Sequence, residues 1–162
     1  MRSPHTLTAL VLGLTLPTGI FAQFGPETFQ FSEGPCSIDL VDVDDDGDLD
    51  LLTAGREGAV LRTNTDGQGT WSGPVLIDPL VLMARAVDVN GDGAVDLVAG
   101  LQFGGGIRWY PNIGGALFGQ PVTLTSSYST VQLEHADLDG DGDQDLLLLS
   151  ETGNIHWSIN DG

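Results

Sequence analysis

An all-β chain, assembled from about three modules of four antiparallel strands each, is the fold the sequence predicts, and three observations carry it. An acidic eleven-residue segment recurs without gaps: DVDDDGDLDLL from Asp42, DVNGDGAVDLV from Asp88 and DLDGDGDQDLL from Asp137, with starts 46 and 49 residues apart. A second mark follows each one, AVLRTN ending at Asn64, IRWYPN ending at Asn112 and IHWSIN ending at Asn160, and repeats every 48 residues. Between the marks the segments are short, alternate apolar with polar residues and stop at Gly, Asn or Asp, the period-two pattern of strands. No window beyond the N-terminal stretch carries a helical stripe of useful length.

Repeats of this length that each make four strands are the mark of a β-propeller blade. In the second unit ARAVDV, DLVAGL, GIRWYPN and QPVTLT read as its strands, with bends at Asn90 to Gly93 and at Gly104 to Gly106. WSGPVLI from Trp71 is the first unit's counterpart of FGQPVTLT from Phe118. Trp109, Trp157 and the matching Leu61 fall on one face of the third strand, where packing between blades is the expected role. The repeats start near residues 37, 83 and 131 of a domain spanning 23–162. FGPETFQF from Phe24 reads as a lone fourth strand, while IHWSINDG stops before one is due. The array is therefore read as a partial propeller or a fragment. It belongs to a longer propeller, or pairs as a homodimer into a six-bladed ring by exchanging terminal strands, or stands open as a monomer.

Ahead of the repeats, MRSPH carries a positive charge, LTALVLGLTLPTGI is an apolar run interrupted by Pro17, and Ala22 offers a small residue for cleavage. Residues 1–22 are read as a signal peptide, leaving no transmembrane segment in the mature chain. The expected location is secreted, extracellular or at the cell surface, with the periplasm as the alternative. Cys36 is the single cysteine, so no intrachain disulfide forms, and it is read as a buried or idle thiol.

With 41% hydrophobic and 17% charged residues in 162, the composition is that of a globular protein. The net charge of -18 comes from 23 acids against 5 Lys and Arg, and 14 of the acids sit in the three clusters. Such a chain is a poor electrostatic partner for nucleic acid or an anionic membrane, and a good one for cations.

Counted from Asp42, Asp88 and Asp137, positions 1, 3, 5 and 9 are Asp42, Asp44, Asp46, Asp50; Asp88, Asn90, Asp92, Asp96; and Asp137, Asp139, Asp141, Asp145. All of these side chains offer oxygen. Position 6 is always glycine, Gly47, Gly93 or Gly142, as a tight loop with positive φ requires. Position 7 varies as Asp48, Ala94 and Asp143, which suits a ligand supplied by the backbone carbonyl. Asp45 and the side chain of Asp48 are read as solvent-facing extras. Alternating hard oxygen donors around a glycine suit Ca²⁺, whereas zinc would call for Cys or His. An EF-hand needs a glutamate at position 12, and here that position is Thr53, Ala99 or Leu148.

The DxDxDGxxD loop followed by apolar residues, repeated with an intervening WxxN and a later FGxP, resembles the FG-GAP or VCBS repeat of integrin α propellers and many secreted bacterial proteins. The resemblance implies that each acidic loop joins the first two strands of a blade and holds calcium, about three ions in all. The implied ligands are the twelve side chains above with the carbonyls of Asp48, Ala94 and Asp143. Asn90 leaves the middle site one carboxylate short, so weaker binding is expected there. The implied function is a noncatalytic, calcium-stabilised module that binds protein or carbohydrate. Two alternatives stand beside it: part of a secreted polysaccharide- or lipid-degrading enzyme carrying the same repeats, or a structural spacer in a longer surface protein. His135, His156, Arg85 and Arg108 are the few candidates for an enzyme's site, because the clustered acids are already assigned to metal.

Overall fold

Short alternating segments joined by acidic turns fold here into three antiparallel sheets. The computed structural model describes residues 34–125 and 129–162, all within one compact unit, Phe31–Gly162. The first sheet runs β1 (Pro35–Val41), β2 (Asp50–Gly55), β3 (Gly58–Arg62) and β4 (Val75–Asp78) in that order. The second repeats it as β5 (Val81–Val87), β6 (Asp96–Leu101), β7 (Ile107–Tyr110) and β8 (Val122–Thr125). The third has three strands among the described residues, β9 (Thr130–Ala136), β10 (Asp145–Ser150) and β11 (Ile155–Ser158), with β10 in the middle. These are the meander sheets of propeller blades, four-stranded in the first two. The expected signal peptide and the strand expected in FGPETFQF lie outside the described residues.

Register ties the acidic loops to fixed points. Val41 pairs with Asp50, Val87 with Asp96 and Ala136 with Asp145, so each loop closes the hairpin between the first and second strands of its sheet. The fifth strand starts three residues earlier than ARAVDV suggests and ends at Val87, because a bulge between Val81 and Met83 extends the ladder and Asp88 already bends into the loop.

Three of the middle strands are buried on both faces, and small residues make that feasible. Every residue of β2, β3 and β6 is buried. Leu52, Ala54 and Ala59 of the first sheet meet Val81, Ala84, Leu97, Ala99, Leu101 and Tyr110 of the second. Val87, Val98 and Ile107, flanked by Trp109, meet Leu133, Leu146 and Leu148 of the third. Each fully buried leucine stabilises the stack by about 1.5–3 kcal/mol. Close approach also depends on Gly100, whose missing Cβ would lie 2.9 Å from Cβ of Thr130.

Polar contacts index one sheet on the next. Ser37 Oγ accepts the Ala84 amide at 3.0 Å and Asp39 Oδ2 the Ala86 amide at 3.0 Å. Asp78 accepts from Arg108 at 3.0 Å and from the Tyr110 hydroxyl at 2.5 Å. Arg85 forks onto Glu134 at 3.2 and 2.8 Å. Both arginines considered for an enzyme's cleft are thus engaged in ion pairs between sheets. Cys36 is exposed, which corrects the buried reading: it lies on edge strand β1, where alternate side chains face out. No helix among the described residues is long and apolar enough to cross a membrane.

Candidate functional site

The acidic loops share one internal geometry. The position-1 aspartate accepts two loop amides: Asp42 from Asp46 and Gly47, Asp88 from Gly91 and Gly93, Asp137 from Gly140 and Gly142, at 2.7–3.2 Å. The position-5 carboxylate accepts the position-7 amide, Asp48, Ala94 or Asp143, at 2.9, 2.8 and 3.0 Å. Position 6 has φ of 94°, 87° and 102° at Gly47, Gly93 and Gly142, the left-handed backbone that the glycine pattern implied.

Position 9 is different. Asp50, Asp96 and Asp145 are 0, 1 and 0% exposed, at the first residue of each second strand. One oxygen accepts the position-2 amide, from Val43 at 2.9 Å, Val89 at 3.3 Å and Leu138 at 2.7 Å. The other accepts the amide of the repeated asparagine, Asn64 at 2.8 Å, Asn112 at 2.7 Å and Asn160 at 2.7 Å. A buried anion is tolerable because two amides solvate it. The sequence marked these asparagines only as a second recurring position; here they are the partners of the ninth-position acids.

Carboxylate oxygens of Asp42, Asp44 and Asp50 lie within 4.8 Å of one another, and so do those of Asp137, Asp139 and Asp145. That separation is about twice a Ca²⁺–O distance, so one ion could touch all three. Asp44 Oδ1 is buried with no hydrogen-bond partner among the described residues, an orphan acceptor inside the first cluster. Loss of hydration raises the Asp44 carboxyl above its ordinary value, and the charges of Asp50, Asp46 and Asp42 push it further. Asp139 is raised for the same reasons, loss of hydration first and then Asp141 and Asp145. In the middle loop Asn90 donates its amide nitrogen to Asp92 Oδ2 at 2.9 Å, so an internal bond stands where the other loops have repulsion. These donor sets are all oxygen and fit a hard divalent cation.

Of the expected extras, Asp45 is exposed. Asp48 is half-buried instead, with its carboxylate filling the space a Cβ on Gly67 would take, because the turn after β3 folds back onto the loop. His135 Nδ1 is 2.8 Å from Gln144 Oε1, a contact within its own hairpin.

Comparison with known proteins places the pattern. A sequence-family model described as FG-GAP-like repeat matches residues 88–148, from the start of the second acidic loop through the third and most of β10. No curated protein sequence matches the chain. Among solved structures it is similar to a lectin of Agrocybe aegerita, described for specific recognition of non-reducing terminal N-acetylglucosamine, with a TM-score of 0.56 at 23% identity. The likeness covers 78% of this chain and 35% of the lectin, so the chain spans about a third of that protein's length. At that identity the likeness concerns the fold, which agrees with stacked propeller blades. Over residues 88–148 the chain matches the FG-GAP-like repeat, the family that the DxDxDGxxD and WxxN marks resemble.

Proposed function

We propose that this chain is a secreted, noncatalytic propeller module that binds a glycan or protein partner on a scaffold stabilised by calcium in its acidic loops. The observation that carries the reading is the orphan Asp44 Oδ1 within a cluster of three converging carboxylates. Side chains at positions 1, 3, 5 and 9 of each loop would hold the ion, with the carbonyls of Asp48, Ala94 and Asp143. Bound calcium would supply positive charge where desolvated carboxylates repel. The chain's own residues do the rest: Asp42, Asp88 and Asp137 gather the loop amides, and the buried ninth-position acids anchor the loops to the sheets. The middle loop, with Asn90 as its position-3 donor, binds the ion less tightly. Of the two partner classes, the fold shared with a lectin favours glycan.

Thermal unfolding of the calcium-loaded chain, with and without chelator, tests the reading. At about 1 mM Ca²⁺ and dissociation constants of about 10⁻⁴ M, each site stabilises by about 1.4 kcal/mol. Three sites then raise Tm by about 10 °C or more. An unchanged midpoint after chelation removes the calcium assignment. A glycan array that includes N-acetylglucosamine-terminated chains tests the partner class, and protein capture without any glycan signal would shift it to protein.

A further inference from the structure

The three acidic loops are joined by one unbroken run of hydrogen bonds. Asp50 accepts the amides of Asn64 and Val43. The carbonyl of Val43 accepts Nδ2 of Asn112, from the next sheet, at 2.9 Å. The amide of Asn112 donates to Asp96 at 2.7 Å, and Asp96 accepts the Val89 amide at 3.3 Å. The carbonyl of Val89 accepts Nδ2 of Asn160 at 2.8 Å, again from the next sheet, and the amide of Asn160 donates to Asp145 at 2.7 Å. Asp145 completes the run on the Leu138 amide at 2.7 Å. Each asparagine also holds the residue before its own ninth-position acid, through the carbonyls of Val95 at 2.9 Å and Gln144 at 3.4 Å.

The contacted carbonyls are those of position 2, which lies between the donors at positions 1 and 3. The Val43 carbonyl belongs to the peptide that leads into Asp44, and the Val89 carbonyl to the one that leads into Asn90. An asparagine fixed by the ninth-position acid of its own sheet therefore orients the peptide carrying the position-3 donor of the preceding loop. These bonds span 69 and 71 residues of sequence, so no local turn can substitute for them.

We propose that cation occupancy of neighbouring loops is coupled through Asn112 and Asn160, which act as positioning residues between the sites. The proposal rests on the calcium reading above. Filling one loop orders its ninth-position acid, and that order reaches the preceding loop as a fixed position-2 peptide, so less ordering remains for the second ion to impose. The coupling is reciprocal, as linkage requires. The middle loop, short of one carboxylate at Asn90, is flanked by both connections and gains most.

The test uses the full chain and calcium alone. Loop-resolved hydrogen exchange, followed against calcium concentration, gives a separate midpoint for each loop. Asp139→Asn weakens the third loop while leaving Asp145 and Asn160 in place. The expected result is a second-loop midpoint raised about fivefold or more, the lower end of typical coupling, with a smaller change in the first loop. In an Asn160→Ala background the same substitution should move the second-loop midpoint less than about twofold. Should Asn160→Ala fail to fold by circular dichroism, the comparison of second and first loops in Asp139→Asn alone decides, since the relay requires the nearer loop to respond more. Loops that all bind calcium yet titrate independently overturn the coupling and leave the calcium reading standing. A chain with no calcium-dependent protection in any loop overturns both.

Discussion

Asp45 occupies the left-handed region at φ 62°, where the other two loops have Gly91 at 68° and Gly140 at 86°. Position 4 thus has the same backbone demand as position 6, but only position 6 is glycine in all three copies. The sequence made Gly47, Gly93 and Gly142 legible for that reason and left position 4 as a variable extra. An aspartate tolerates this conformation better than most residues, at a cost that glycine avoids. Asp45→Gly is expected to stabilise the calcium-free chain by about 0.5–1 kcal/mol, through relieved backbone strain and one charge fewer in the cluster. Urea unfolding in chelator measures it. A loss of stability would show that the Asp45 carboxylate has a role beyond position 4 geometry.

At the scale of strands, the hairpins and the placement of each acidic loop were legible, because alternation and turn residues are local signals. What joins the sheets was not. The asparagines recur visibly every 48 residues, yet their partners are reached only after the sheets stack. The same holds for Asp78, which meets Arg108 and Tyr110 some thirty residues on. Burial, and then the hydrogen bond to Asp78, pushes the Tyr110 hydroxyl from 10.0 up to about 12. A folded-state value above the unfolded one means that the protonated group favours the fold. Its contribution is therefore complete below pH 10 and is lost as pH rises from 10 towards about 12. Unfolding free energies across that window should fall more steeply for the parent than for Tyr110→Phe. Parallel slopes would mean that Tyr110 ionises as easily folded as unfolded.

Across the whole molecule, composition and repeat spacing foretold an acidic, all-β stack, but not the direction in which its faces are covered. That direction shows at one register position. Leu61 of the first sheet is 1% exposed, Trp109 of the second is half-buried, and Trp157 of the third is 66% exposed. Each sheet covers the face of the one before it, so the burial of this position falls along the chain. Alanine at the three positions should accordingly have graded costs. Leu61→Ala removes a fully packed side chain and should cost about 3 kcal/mol. Trp109→Ala, which strips one flank from the contact between second and third sheets, should cost about 2 kcal/mol, below the range for a fully buried tryptophan. Trp157→Ala should stay within about 0.5 kcal/mol, as an exposed substitution does. Chemical denaturation of the three variants measures the series, and acrylamide quenching of Trp157→Phe checks its basis, since that substitution should remove the most quenchable emission. A large cost at Trp157 would mean that another surface covers the third sheet in solution, and the order of stacking inferred from burial would have to include it.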